Sequence, residues 1–186
     1  MDRKKLDAWQ KAPVKIVSEA IYHAAKQNEE DNLIAFLLLD VGAEMLFKTY
    51  LGLPKHITGS TTPEDERYNI LRKGFHHVIE GVKNSRQGIN VKELARVEFF
   101  HGLRNKLYHQ GNGLTINRSH LDEYVLLVKS LFKQLLKVDI EEQLSTNSLT
   151  KDEVDQIAKL KEEFNSLLEL SKTKNNTLKL LCSLIV

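Results

Sequence analysis

Residues Glu29–Pro54 read EEDNLIAFLLLDVGAEMLFKTYLGLP, and the folding of this stretch decides the class of the whole chain. Its longest apolar run, Leu33–Leu39, is seven residues long and ends at Asp40. A membrane-spanning helix needs about 20 such residues, so the run reads as part of a buried helix. That helix extends from about Glu29 to Leu51, and Gly52 with Pro54 is expected to stop it. It is the most apolar segment of the chain and the expected centre of its core.

The neighbouring segments carry helical signals too. Pro13 sits near the start of a first helix reaching about Gln27. After a loop, KHITGSTT, Thr62-Pro63-Glu64-Asp65 reads as an N-cap, a proline at the first helical position and acids in the first turn. The third helix so begun runs to about Asn84. Ser85–Ile89 is a loop, and Asn90 with Glu93 resembles a capping box opening a fourth helix that ends at Gly111. Ser119 is placed to cap a fifth, HLDEYVLLVKSLFKQLLKV. A polar connector, DIEEQLSTNSL, leads to a capping signal at Thr150 and Glu153, an acidic sixth helix and an apolar end, TLKLLCSLIV. GLTI, residues 113–116, is the only short strand candidate. These signals predict an all-α protein: an antiparallel helical bundle over residues 1–142 with a C-terminal helical extension over 143–186. The extension either packs on the bundle, joins an oligomer contact or leads to a further segment.

Composition removes several function classes. The chain of 186 residues is 41% hydrophobic and 28% charged, which fits a globular domain rather than a disordered one. A single cysteine, Cys182, excludes an intramolecular disulfide and a multi-cysteine metal cluster, and its apolar setting predicts a packed thiol. The N-terminal MDRKKLDAWQ has basic residues but no apolar stretch behind them, so it does not read as a signal peptide. The expectation is a cytoplasmic protein without a membrane partner. Net charge is +2, yet Lys83–Arg118 holds seven basic residues against two acids, which points to an anionic partner there. His76 and Glu80 share a helix face, but two ligands without a third at suitable spacing make no metal site. No HExxH, P-loop, GxGxxG or GxSxG pattern is present.

The basic region centres on FFHGLRNKLYHQGNGLTI, Phe99–Ile116. On a helical wheel with His101 at zero, Arg104 falls near −60°, Asn105 near +40°, Tyr108 near −20° and His109 near +80°. Phe99, Phe100, Leu103 and Leu107 fall on the other side, between roughly 160° and 260°. The helix is therefore expected to present the four apolar residues to the core and the polar five to solvent or a ligand. A solvated face is usually rich in Glu and Lys; this one instead groups imidazole, guanidinium, amide and phenol.

Arg104-Asn105-Lys106-Leu107-Tyr108-His109 resembles the R-x4-6-H motif of HEPN domains, including the polar residue directly after the arginine. DVGAEMLFKTYLGL looks like the second-helix segment of such domains, with Glu44 at the acidic position. The resemblance covers about Pro13–Val138. It implies a metal-independent, cofactor-free endoribonuclease that uses the substrate's own 2′-hydroxyl as nucleophile. In this family two copies of the motif helix face each other across a dimer, and members act as toxins or in anti-phage defence and stress responses. Arg104, His109 and Asn105 would be catalytic; His101, Tyr108, Lys106 and Glu44 would bind RNA or support the site. An antitoxin or other protein partner is also implied. His109 suits proton transfer near neutrality, and Arg104 suits a phosphorane. The regulatory tyrosine that some members carry after the histidine is missing, since Gln110 and Gly111 follow. The bland alternative for Glu44 is an ion pair with Lys48 at i, i+4. The alternative for the whole chain is a non-catalytic helical module that binds nucleic acid, nucleotide or a protein.

Overall fold

The computed structural model describes residues 5–85, 89–110, 115–145 and 159, without the side chains of 108–110 and 145. Those residues form eight helices and no strand: α1 (Ala8–Ala24), α2 (Glu29–Gly52), α3 (Lys55–Thr58), α4 (Glu64–Leu71), α5 (Phe75–Ser85), α6 (Val91–Gln110), α7 (Arg118–Leu136) and α8 (Ile140–Ser145). The protein is an all-α helical bundle. No described helix is long and apolar enough to cross a membrane. The chain divides into two units, Met1–Gln143 and Leu144–Val186. Of the expected sixth helix only Lys159 is described, and it is helical. The apolar end with Cys182, the break at Gly111, Arg86 and half of the strand candidate lie outside the described residues. Thr115 and Ile116 are not in a strand.

The central element is α2. Asn28 caps it by accepting from the Asp31 N–H at 2.8 Å, and Glu29, Glu30 and Asp31 lie at the positive end of its dipole. It packs against α1, α4, α5, α6 and α7, and buries Phe36, Leu39, Ala43, Leu46, Phe47 and Tyr50. The four-residue link to α1 makes these two neighbours antiparallel. Their axes approach closely at Gly42, where a Cβ would stand 2.5 Å from Val17 Cγ2. Pro13 lies further into α1 than expected. The helix begins at Ala8, and Gln10 fixes that end by accepting from the Asp7 N–H (2.8 Å) and donating to the Leu136 carbonyl (3.0 Å).

Asp31 also closes the α1–α2 turn, accepting from His23, from Lys26 at 3.0 Å and from Asn28 at 2.6 Å. These bonds, His23 foremost, lower its carboxyl from the usual 3.8 to about 2. The charged form is thus favoured by folding. Its contribution is complete above about pH 4 and disappears as pH falls through about 2. Unfolding midpoints measured across that range should fall less steeply for Asp31→Asn than for the parent chain.

Several ends are built differently from expectation. Gly52 does not cap α2 in a left-handed conformation; it is helical, and Leu53 follows in extended geometry (φ −74, ψ 149). The exposed carbonyls are instead taken by Arg67 of α4, whose Nη1 donates to Leu51 O at 2.9 Å and to Leu53 O. This guanidinium, only 2% exposed, lies at the negative end of the α2 dipole. KHITGSTT contains the single turn α3, closed by Gly59 at φ 68, a conformation that favours glycine.

The long third helix is two. Pro63 takes the cap position, Thr62 is buried with its N–H on Ser60 Oγ (3.2 Å), and the helix stops at Leu71. After Arg72–Gly74 the chain turns into α5, which lies against α4 so closely that a Cβ on Gly81 would meet Ile70 Cγ2 at 2.8 Å. The expected capping box at Asn90 is not formed. Asn90 accepts from the Lys92 N–H at 3.1 Å, whereas Glu93 reaches across to Ser130 (3.1 Å) and Gln134 (2.7 Å) of α7. Asn117, not Ser119, caps α7, accepting from the Ser119 N–H at 2.9 Å. The polar connector contains α8.

Candidate functional site

Leu94 and Val97 set the inward stripe of α6, and helical spacing carries that stripe on to His101 and Arg104. The wheel reading is therefore corrected. Phe100 is fully buried, but Phe99 is 47% exposed, and Leu103 and Leu107 are half-buried. The side chains of His101 and Arg104 point inward, 16% and 23% exposed. What turns them is Asp40, a fully buried carboxylate on α2.

Asp40 accepts from Arg104 Nε at 2.8 Å, from His101 Nδ1 at 3.0 and 3.1 Å, and from the Tyr124 hydroxyl of α7 at 3.2 Å. A buried carboxylate needs this compensation, since an unpaired one would be strongly destabilising. Burial, then the neighbouring Asp40, pushes the Tyr124 hydroxyl well above its usual range, so it stays a neutral donor. Tyr124 stacks on Phe100, ring centroids 4.5 Å apart, with Phe36 against both rings edge-on. Arg104 Nη1 donates to Asn105 Oδ1 at 3.0 Å. Phe75, at the start of α5, stacks on His101 with centroids 3.9 Å apart and 21° between planes.

Of the residues singled out by sequence, His101, Arg104 and Asn105 thus form one connected group. Lys106 is exposed. Glu44 is paired with Lys48 at 2.6 Å, and Asp40 rather than Glu44 holds Arg104. The side chains of Tyr108 and His109 lie outside the described residues; the α6 backbone is helical through both. Sequence reasoning missed Asp40 and Tyr124. The available signal was an acid within the most apolar helix, four positions after Phe36 and three before Ala43, where burial demands a partner.

Four of the seven basic residues of 83–118 are paired with acids of the same chain. Arg96 pairs with Glu123 through two nitrogens and covers the Phe99 ring. Arg118 pairs with Asp122 (2.9 Å) and also donates to Ala24 O and Asn32 Oδ1. Lys83 pairs with Glu80 (3.1 Å) and Arg104 with Asp40. His76, considered above with Glu80, is paired with Glu98, which raises its pKa. Comparison with protein-family models, curated proteins and solved structures found no match.

Proposed function

We propose that the chain is an HEPN-like, metal-independent endoribonuclease that cuts RNA by 2′-hydroxyl attack at a composite site in a homodimer. We place it in the cytoplasm, in toxin or anti-phage defence or a stress response, with an antitoxin or other protein as a further partner. The observation that carries the reading is the setting of Arg104. Its guanidinium is bonded to Asp40 and to Asn105, its side chain is 23% exposed, and its helix runs on to His109. A planar cation held in one orientation at a partly exposed position suits a phosphate whose charge grows during attack. His109 would move the proton. Along one helix the two residues are roughly 7.5 Å apart in rise and about 140° apart in direction, so two copies form a tighter site than one.

Cleavage of a single-stranded RNA oligonucleotide in EDTA tests this. Arg104→Ala and His109→Ala should each lower the rate by about 10²–10⁴, and the parent chain should leave 2′,3′-cyclic phosphate ends. Mixing the two variants should restore part of the activity through hybrid dimers. Equal cutting by all three chains, or cutting only with added metal, overturns the mechanism. A strict monomer in ultracentrifugation that still cuts overturns the composite site.

A second reading is a non-catalytic helical module binding nucleic acid, nucleotide or a protein. It is favoured by the full burial of Asp40, which requires a cation on grounds of stability alone. In that case the parent chain leaves RNA intact and Arg104→Ala alters only stability and binding.

A further inference from the structure

We propose that His101, oriented by Asp40, is the proton acceptor for the attacking 2′-hydroxyl, a role that rests on the ribonuclease reading above. Nδ1 faces both Asp40 oxygens, at 3.0 and 3.1 Å. An ionised carboxylate only accepts, so Nδ1 carries the hydrogen and Nε2 of the neutral ring is left with its lone pair. Nε2 has no hydrogen-bond partner among the described residues. Nor is it one of their buried unpartnered side-chain atoms, which are Tyr50 Oη and Arg67 Nε. The His101 side chain as a whole is 16% exposed. Phe75 fixes the ring plane by stacking on it.

Arg104 follows one turn later, bonded to the same carboxylate, so a phosphate at the guanidinium lies beside this imidazole. The charges facing His101 are Asp40 from α2, Arg104 from α6 and, through Asp40, the neutral Tyr124 hydroxyl from α7. From α5 comes the uncharged Phe75. Glu44 and Glu98, each one turn away, are paired with Lys48 and His76.

The reaction needs one base and one acid, and His101 is the imidazole that stands in the same protomer beside Arg104, on the shared Asp40 carboxylate. Nε2 of His101 takes the 2′-hydroxyl proton as the O2′–P bond forms. The P–O5′ bond breaks, and the leaving oxygen takes a proton from a general acid, the part that the ribonuclease reading above leaves to His109. The products are a 2′,3′-cyclic phosphate and a free 5′-hydroxyl. His101 ends with one proton more and that acid with one fewer, and exchange with solvent resets both.

The test is the pH–rate profile of His101→Gln, which keeps an amide N–H for Asp40, alongside Arg104→Ala and His109→Ala on the same RNA oligonucleotide. A loss of about 10²–10³ with a flattened acidic limb is expected, and added imidazole should recover part of the activity of His101→Ala. A His101→Gln chain that stays within about threefold of the parent and keeps its acidic limb, while the other two variants are inactive, overturns the role of His101 and leaves the ribonuclease reading intact. A parent chain that does not cut RNA overturns both. If His101→Gln fails to fold, imidazole ¹⁵N spectra of the parent chain decide: uncleavable 2′-O-methyl RNA should shift the His101 Nε2 signal, and an unmoved signal overturns the proposal.

Discussion

Replacing Asp40 with alanine should cost about 3 kcal/mol of unfolding free energy, measured from urea midpoints. The substitution removes the acceptor for Arg104, His101 and Tyr124 in one step. Breaking a buried ion pair typically costs about 3–5 kcal/mol. The lower end applies because Arg104 and His101 are partly exposed and can turn to water, whereas the Tyr124 hydroxyl cannot. Asp40→Asn keeps one oxygen for Tyr124 and should cost less than Asp40→Ala. A cycle with Arg104→Ala should show a coupling of about 1–3 kcal/mol. Loss below about 1 kcal/mol for Asp40→Ala would mean that the three donors find other partners, and the account of the hub would fail.

Arg67→Ala should be comparably damaging, about 3 kcal/mol by the same measurement. It empties the space of a side chain only 2% exposed and leaves the Leu51 and Leu53 carbonyls at the end of α2 without their donor. Arg67→Met separates the two effects. It retains most of the volume and removes both the donor and the cost of a desolvated cation, so a loss of about 1 kcal/mol is expected. A chain as stable with alanine as with arginine would show that α2 does not depend on this contact.

The length of α2 is legible because Asn28, three acids and the Gly52–Pro54 exit mark both ends. The manner of its exit is not, since the cap comes from Arg67, remote in sequence and identifiable only once α4 is folded against it. The break between α4 and α5 is marked by Gly74 alone, a residue that helices also tolerate, and the close packing of Gly81 on Ile70 that accompanies it is a contact between helices that no local pattern displays. On α6 the hydropathy wheel separates polar from apolar residues but cannot tell which polar ones face inward. His101 and Arg104 lie inside because a carboxylate on another helix meets them there. That also explains why Glu44 was the natural acidic choice from local pattern and Asp40 the partner in space. Asn105 and Arg104 are adjacent in sequence, and their hydrogen bond is a local one.

The bonds at Asp40 join residues 61, 64 and 84 positions apart in the chain. The α1–α2 pair, by contrast, closes over a four-residue turn. Contacts of such different range form at different times during folding, because long loops must close before distant groups meet. The α1–α2 hairpin can assemble early, and the carboxylate acquires its partners only when α6 and α7 dock. Substitutions at Asp40 should then act chiefly on the unfolding arm of a chevron and leave the refolding rate nearly unchanged. The same carboxylate would set how long the native chain persists rather than how quickly it forms.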